Sequence, residues 1–294
     1  MIIRNGIEPG ATLGDSKLCF YGAGSMAEAL VSGLIEQRIT SPDRISMLNR
    51  SNAERLTELS TRYGVHTTLV DAEKNRAIAE SDILFLAMKP KDADAALDAI
   101  RGLIRDKQLI VSLIAGLSIS TLERMLGSSV SIVRTMPNTS SSIGLGATGI
   151  SYSSAVTDHQ RALAEAIFQS VGITATIEEN LQEAVTGVSG SGPAYVYYFM
   201  EAMMKASVQM GMPAEAAQQL IVQTVLGAAE MVRLTGEEPA ELRRKVTSPG
   251  GATQAAIEVM DRYQFTDAIV QAAIRSAERS AEMGASIERS TLKS

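Results

Sequence analysis

Cysteine is nearly missing from this chain, and the single one, Cys19, leaves no partner for an internal disulfide. Its place in the apolar run KLCFY predicts a buried thiol instead of a nucleophile. Histidine is almost as scarce. His66 and His159 have no cysteine or histidine neighbours at metal-ligand spacing, which argues against a structural zinc and a histidine-based triad. Tryptophan is absent. No apolar run approaches the roughly 20 residues of a membrane span, and the opening MIIRNGIEPGATLGDS lacks the apolar core of a secretory leader. Basic residues do not predominate: 27 Lys and Arg against 33 Asp and Glu give a net charge of -6, scattered instead of clustered. Nucleic acid and anionic membrane are therefore poor partners. Together these absences predict a cytoplasmic protein whose chemistry belongs to a cofactor.

What is present fits an ordinary globular enzyme. At 294 residues, 45% hydrophobic and 20% charged, the chain has room for two domains, each with its own core. Residues 1–16 carry Gly, Pro and polar side chains without a period and read as an arm. A short apolar run at 17–21 then leads into Gly22-Ala23-Gly24-Ser25-Met26-Ala27 and a helical pattern. Strand, G-x-G-x-x-A and helix form the dinucleotide-binding arrangement: Gly22 for the tight turn, Gly24 for approach of a pyrophosphate, Ala27 for close helix packing. The next strand, 45–48, ends in Asn49-Arg50-Ser51, where such folds keep their ribose-reading residue. No carboxylate stands there, and donors with positive charge favour NADPH over NADH, with NADH left open. Ser51 also reads as a helix cap with Glu54 three residues on.

Strands and helices go on alternating. Strands at 65–68, 83–88, 109–113, 130–135 and 174–177 are separated by helices at 53–63, 71–80 and 92–104, one capped by Ser120 with Glu123, and one capped at Thr157. This order predicts an α/β, Rossmann-like doubly wound parallel sheet over 17–178. Lys89-Pro90 ends the run 83–88 at the sheet's carboxyl edge, where open sheets bind ligands. From 179 to 294 the strand signal stops. Helices at 181–188, 193–210, 214–234, 239–245, 251–263 and 266–287 make an all-α domain. Methionines 200, 203, 204 and 210 share a face as core or helix-interface filler. Apolar positions on several sides of the long helices predict an intertwined dimer.

One stretch of the helical half is chemically suggestive. In Val246 to Ile257, VTSPGGATQAAI, two glycines precede a helix start, leaving the amides of Gly251, Ala252 and Thr253 and the hydroxyl of Ser248 available to an anion. A plain capped turn is the alternative reading.

Six segments in order resemble pyrroline-5-carboxylate reductase: YGAGSMAEAL at 21–30, LFLAMKP at 84–90, SLIAGLSI at 112–119, VRTMPNTSSSIGLG at 133–146, TGVSGSGPAYVYYFMEAM at 186–203, and VTSPGGATQAAI at 246–257. The resemblance implies a helical C-terminal dimerisation domain, a homodimer that can stack into larger oligomers, and hydride transfer from NADPH to a cyclic imine. Carried over by position, residues 22–27 would hold the pyrophosphate, 49–51 the adenosine side, and Ala87 to Pro90 with Ala115 the cofactor cleft. Ala252 and Thr253 would bind the carboxylate and ring nitrogen of pyrroline-5-carboxylate, with Glu179 close by and Thr253 as the catalytic hydroxyl. Lys245 and Asp71 replace asparagines of some relatives, and the arm departs from the usual start. The alternatives that stay open are a reductase of another cyclic imine and a sensor without turnover. A dehydrogenase of the β-hydroxyacid type would be expected to show a catalytic Lys or Asp in the helical half, and none stands out there.

Overall fold

Eight short strands, alternating with helices, build one sheet in the computed structural model, which describes residues 13–127 and 130–291. They are β1 (Leu18–Tyr21), β2 (Ile45–Leu48), β3 (His66–Thr68), β4 (Ile83–Leu86), β5 (Leu109–Ser112), β6 (Ser131–Met136), β7 (Gly146–Tyr152) and β8 (Gly172–Thr176). Spatial order is β3-β2-β1-β4-β5-β6-β7-β8, and the chain reverses direction across the sheet between β1 and β4. Such a switch point opens a crevice beyond the carboxyl ends of the two strands. Residues 1–12 of the expected arm lie outside the described residues. Leu13 is buried in the core, and its N–H donates to Ile39 O at 3.2 Å.

The sheet is parallel except for one pair, β6 with β7, which runs antiparallel. That departs from the expectation of a wholly parallel sheet, and β7 itself was not anticipated. Its segment, GATGISY, is rich in glycine and small residues and carries little strand signal. Between Met136 and Gly146 there is only a 3₁₀ turn at Thr139–Ile143, too little chain for the crossover that a parallel pair needs. Both strands of the central β4–β5 pair are buried along their whole length, as expected of strands covered by helices on both faces.

Alternation along the strands sorts their side chains into two apolar layers. Phe20, Phe85, Val111 and Val133 face α1 (Ser25–Glu36), α2 (Ala53–Tyr63) and α6 (Asp158–Gln169), with Phe20 and Phe85 stacked at 4.1 Å. Cys19, Leu84, Ile110 and Ile132 face the other way, against α3 (Asp71–Glu80), α4 (Ala93–Ile100) and α5 (Ile119–Leu126). Burial pushes the Cys19 thiol up to about 12, so it stays protonated and inert.

Two caps fall elsewhere than expected. Asn52, not Ser51, caps α2, its side-chain oxygen accepting from Arg55 N at 2.9 Å. The cap of α5 is Ser118, not Ser120, because Ser118 is the last extended residue before the helix and its hydroxyl accepts from Thr121 N. Thr157 caps α6, as read from the sequence, and does so in a reciprocal box with Gln160.

Six helices follow the sheet: α7 (Gln182–Val185), α8 (Gly192–Gln209), α9 (Ala214–Thr235), α10 (Pro239–Lys245), α11 (Ala252–Arg262) and α12 (Phe265–Thr291). By contacts the chain divides into two units, Met1–Ser191 with Ile274–Ser294, and Gly192–Ala273. In the first unit the end of α12 lies on the α5 side. A Cβ at Gly284 would stand 1.9 Å from Gly116 O, Ile287 joins the apolar layer there, and Arg124 pairs with Glu288 at 2.5 Å. In the second unit α8 and α9 form a helical hairpin with almost no core of their own. Among its buried residues are Ala217 and Ile221, whereas Tyr198, Val208, Met210, Leu220 and Leu234 are more than half exposed. Met203 and Met210 are exposed and Met200 and Met204 half-buried, so the methionine stripe is not core of the single chain. Among the described residues no helix is long and apolar enough to cross a membrane.

Candidate active site

At the carboxyl end of β1 the chain turns through Gly22, whose φ of 128° lies where side chains are strained. Its N–H donates to Leu48 O at 3.1 Å, and a Cβ there would lie 2.4 Å from Ala87 O. The loop is thus pinned between β2 and β4. Ala23 and Ala27 are buried beneath it. Gly24 caps α1 without any side-chain bond, and the first intrahelical bond runs from Glu28 N–H to Gly24 O. The amides of Ser25, Met26 and Ala27 are therefore the orphan donors of a 12-residue helix, aligned with its dipole. A Cβ at Gly24 would meet nothing within 4 Å, so the space beside these amides is open. Bare amides, a helix dipole and room beside a glycine fit a pyrophosphate.

On the neighbouring strand end, Asn49 Oδ1 accepts from Ser51 N and Asn52 N, both at 3.1 Å. In this Asx turn Asn49 is half-buried, and Arg50 and Ser51 are exposed. Ala87 follows β4, with its N–H on Tyr21 O at 3.0 Å. Met88 is half-buried, Lys89 is exposed and Pro90 opens a short 3₁₀ turn. Ala115 sits half-buried after β5, next to Gly116. One sheet edge therefore collects residues 22–27, 49–51, 87–90 and 115 from the ends of β1, β2, β4 and β5.

Sequence reasoning missed the charged network behind the glycine loop. Arg55 Nε donates to Ala23 O at 3.2 Å, and its guanidinium also pairs with Glu28 and, at 2.9 Å, with Glu58. Arg62 at 3.1 Å and the Tyr63 hydroxyl at 2.9 Å complete the surroundings of Glu28. Burial raises the Glu28 carboxyl, but hydrogen bonds from Arg55 and Tyr63 outweigh it and hold the group below its ordinary value. A depressed carboxyl adds stability that is present above its unfolded pKa and is lost as pH falls through the folded one.

Glu179 is already engaged. Its Oε1 accepts from Ile119 N at 2.6 Å, the start of α5, and from Arg134 at 3.1 Å. Arg134 is itself buried on β6 and reaches Glu183 at 2.5 Å with its other nitrogen. Two carboxylates thus flank one buried guanidinium, which would keep one ion-pair partner if either were removed.

In the second unit, Ser248 to Gly251 form a turn in which Gly251 N–H donates to Ser248 O at 3.0 Å and Gly250 has a φ of 72°. Pro at the second and a positive-φ Gly at the third position is the type II pattern. The expectation of an available Gly251 amide is corrected by this geometry: that N–H is consumed inside the turn, to which Pro249 also belongs. Gly251 instead caps α11, and because Ala255 N–H is the first to bond back to it, the orphan amides are those of Ala252, Thr253 and Gln254. Gln254 reaches back to accept from Gly250 N at 2.7 Å, which stiffens the turn. The Thr247 hydroxyl, donating to Arg243 O, does no capping. Ser248, Ala252 and Thr253 are exposed.

Comparison with known proteins then decides the family. Residues 17–116 match the family described as NADP oxidoreductase coenzyme F420-dependent, and residues 179–283 match pyrroline-5-carboxylate reductase dimerisation. Pyrroline-5-carboxylate reductase 2 of Bacillus subtilis is 42% identical over 278 residues, covering 93% of this chain and 99% of that protein. The chain belongs to the pyrroline-5-carboxylate reductase family. A solved member from Coxiella burnetii, 36% identical, superposes with a TM-score of 0.82 over 92% of this chain and 98% of that one. A second, from Plasmodium falciparum and solved with NADP bound, is 29% identical with a TM-score of 0.83 over the same shares. The Rossmann-like sheet and helical C-terminal half expected from sequence are those of this reductase family. Its motif residues at the sheet edge were legible as loops after strands. Arg55 and Arg134 were not, because a cation on a helix face or in a strand acquires its partners only when distant segments meet.

Proposed function

We propose that the chain reduces 1-pyrroline-5-carboxylate to L-proline with NADPH, and that Thr253 is the residue that hydrogen-bonds the reacting nitrogen. The observation that carries this reading is the start of α11: a glycine cap, three amides without intrahelical acceptors, and an exposed hydroxyl on the second residue of the helix. When bound, NADPH supplies hydride from C4 of its nicotinamide. The chain's own residues do the rest. Amides of Ser25, Met26 and Ala27 take the pyrophosphate, and Asn49, Arg50 and Ser51 offer donors and charge to a 2′-phosphate. Ala87, Met88, Lys89, Pro90 and Ala115 flank the cofactor. Amides of Ala252 and Thr253, with the Ser248 hydroxyl, hold the substrate carboxylate. The Gly251 residue shapes the turn instead of donating. Thr253 Oγ1, donor and acceptor at once, satisfies the ring nitrogen as it becomes an amine. A substrate bound as the protonated imine needs no further acid.

Glu179, held in the first unit by Ile119 N and Arg134, is assigned to the substrate's surroundings on the resemblance alone. The decisive experiment follows NADPH absorbance with racemic pyrroline-5-carboxylate, against NADH and a six-membered piperideine analogue. Rapid oxidation with the five-membered imine and a preference for NADPH are expected. Nucleotide binding without oxidation of either donor would mark a sensor, and faster turnover of the piperideine a different imine reductase.

The same reading makes the protein a cytoplasmic homodimer, with stacking of dimers as a further step. The apolar faces of α8 and α9, bare in one chain, are what a second copy would cover. Sedimentation at micromolar protein should give at least a dimer, and a monomer there would refute the assembly.

A further inference from the structure

Behind the pyrophosphate loop stands a side chain with no contact to any nucleotide in the proposed reading, and one of its hydrogen bonds ends on the loop itself. Arg55, on the first turn of α2, directs its Nε–H at the carbonyl of Ala23, 32 residues earlier. No peptide bond among the described residues is cis. In a trans peptide the C=O and the following N–H point in opposite directions. A carbonyl held toward α2 therefore turns the Gly24 N–H to the opposite side of the loop, and Gly24 is exposed with open space around its Cα. We infer that Arg55 is a positioning residue for the dinucleotide: it orients the Ala23–Gly24 peptide so that the Gly24 amide faces the pyrophosphate.

The charges around it serve the same end. Glu28 lies in the first turn of α1, beside the orphan amides, and an uncompensated carboxylate there would repel a diphosphate. Arg55 and Arg62 bind Glu28, and Arg55 also binds Glu58, so two cations balance two anions. The planar fork of arginine reaches a carbonyl and two carboxylates at once, which a lysine ammonium on its single nitrogen cannot do. This assignment rests on the reading of residues 22–27 as the pyrophosphate cradle.

The test is equilibrium binding of NADPH and of NADH to wild type, Arg55→Met and Arg55→Lys, with steady-state kinetics and urea melts alongside. Arg55→Met should raise the Kd of both nucleotides about tenfold, to the same degree, since the loss of a hydrogen bond from a charged donor is of that order and the pyrophosphate is common to both. The KM for NADPH should rise with it, while kcat at saturating NADPH and the KM for the imine stay within about twofold. Arg55→Lys should fold normally and fall between, because it keeps the charge beside Glu28 but not the bond to Ala23. A rise for NADPH alone would overturn the inference by making Arg55 a 2′-phosphate ligand. Unchanged affinities in a variant that merely melts earlier, or no nucleotide binding by wild type, would overturn it as well. Wild-type protein that binds NADPH but does not reduce the imine would refute the proposed reaction while leaving the Arg55 result readable.

Discussion

Replacing Gly22 by alanine should lower stability by about 2–5 kcal/mol and take dinucleotide binding with it. Two independent costs add at this position. The φ of 128° is one that a residue with a Cβ rarely adopts. The new methyl carbon would also stand 2.4 Å from Ala87 O and 2.6 Å from Ala87 C, both backbone atoms. Ala87 has little room to retreat, because its N–H is bonded to Tyr21 O and it continues β4, which is buried throughout. The strand ends on either side of the switch point would be forced apart, and the orphan amides of α1 would lose their alignment. A urea melt with NADPH titration of the folded protein measures both effects. Gly24→Ala is the contrasting case. Its Cβ would meet nothing within 4 Å, so it should melt close to wild type yet bind NADPH more weakly, the methyl group occupying the open side of the loop. A Gly22→Ala protein with a wild-type melt would contradict the account of the loop.

The second large effect is expected at Thr253. Thr253→Ala should lower kcat/KM by roughly tenfold or more, since a hydrogen bond in the transition state is worth on the order of 1.5–3 kcal/mol. Thr253 is exposed on the second residue of α11, so its hydroxyl can be removed without opening a cavity and the urea midpoint should barely move. NADPH affinity should also hold, because the groups proposed to bind the cofactor all lie in residues 22–115. Thr253→Ser keeps the hydroxyl and should recover most of the activity. Wild-type kinetics in Thr253→Ala would reduce the residue to an ordinary member of a helix start.

Much of this protein is legible in its sequence alone. The strand at Leu18–Tyr21, the glycine loop after it, the buried run Ile83–Leu86 and the helices α8 to α12 each announce themselves by local period and by Gly or Pro punctuation. Local signals suffice there because neighbouring residues along the chain settle the backbone. The resemblance added the reaction, which no local signal contains.

Tertiary structure decided the rest. Strand β7 exists because β6 offers it an edge, not because GATGISY prefers extension. Which of Ser118 and Ser120, or of Ser51 and Asn52, caps its helix depended on where the preceding chain was held. The amide of Gly251 looked available in sequence and is spent in a turn, since only three-dimensional geometry shows which N–H meets which carbonyl. Composition could list Arg55, Glu28 and Ala23 but not join them. Residues 23, 28 and 55 come together only because α1 and α2 lie side by side on a sheet whose strand order the chain's own sequence order does not reveal.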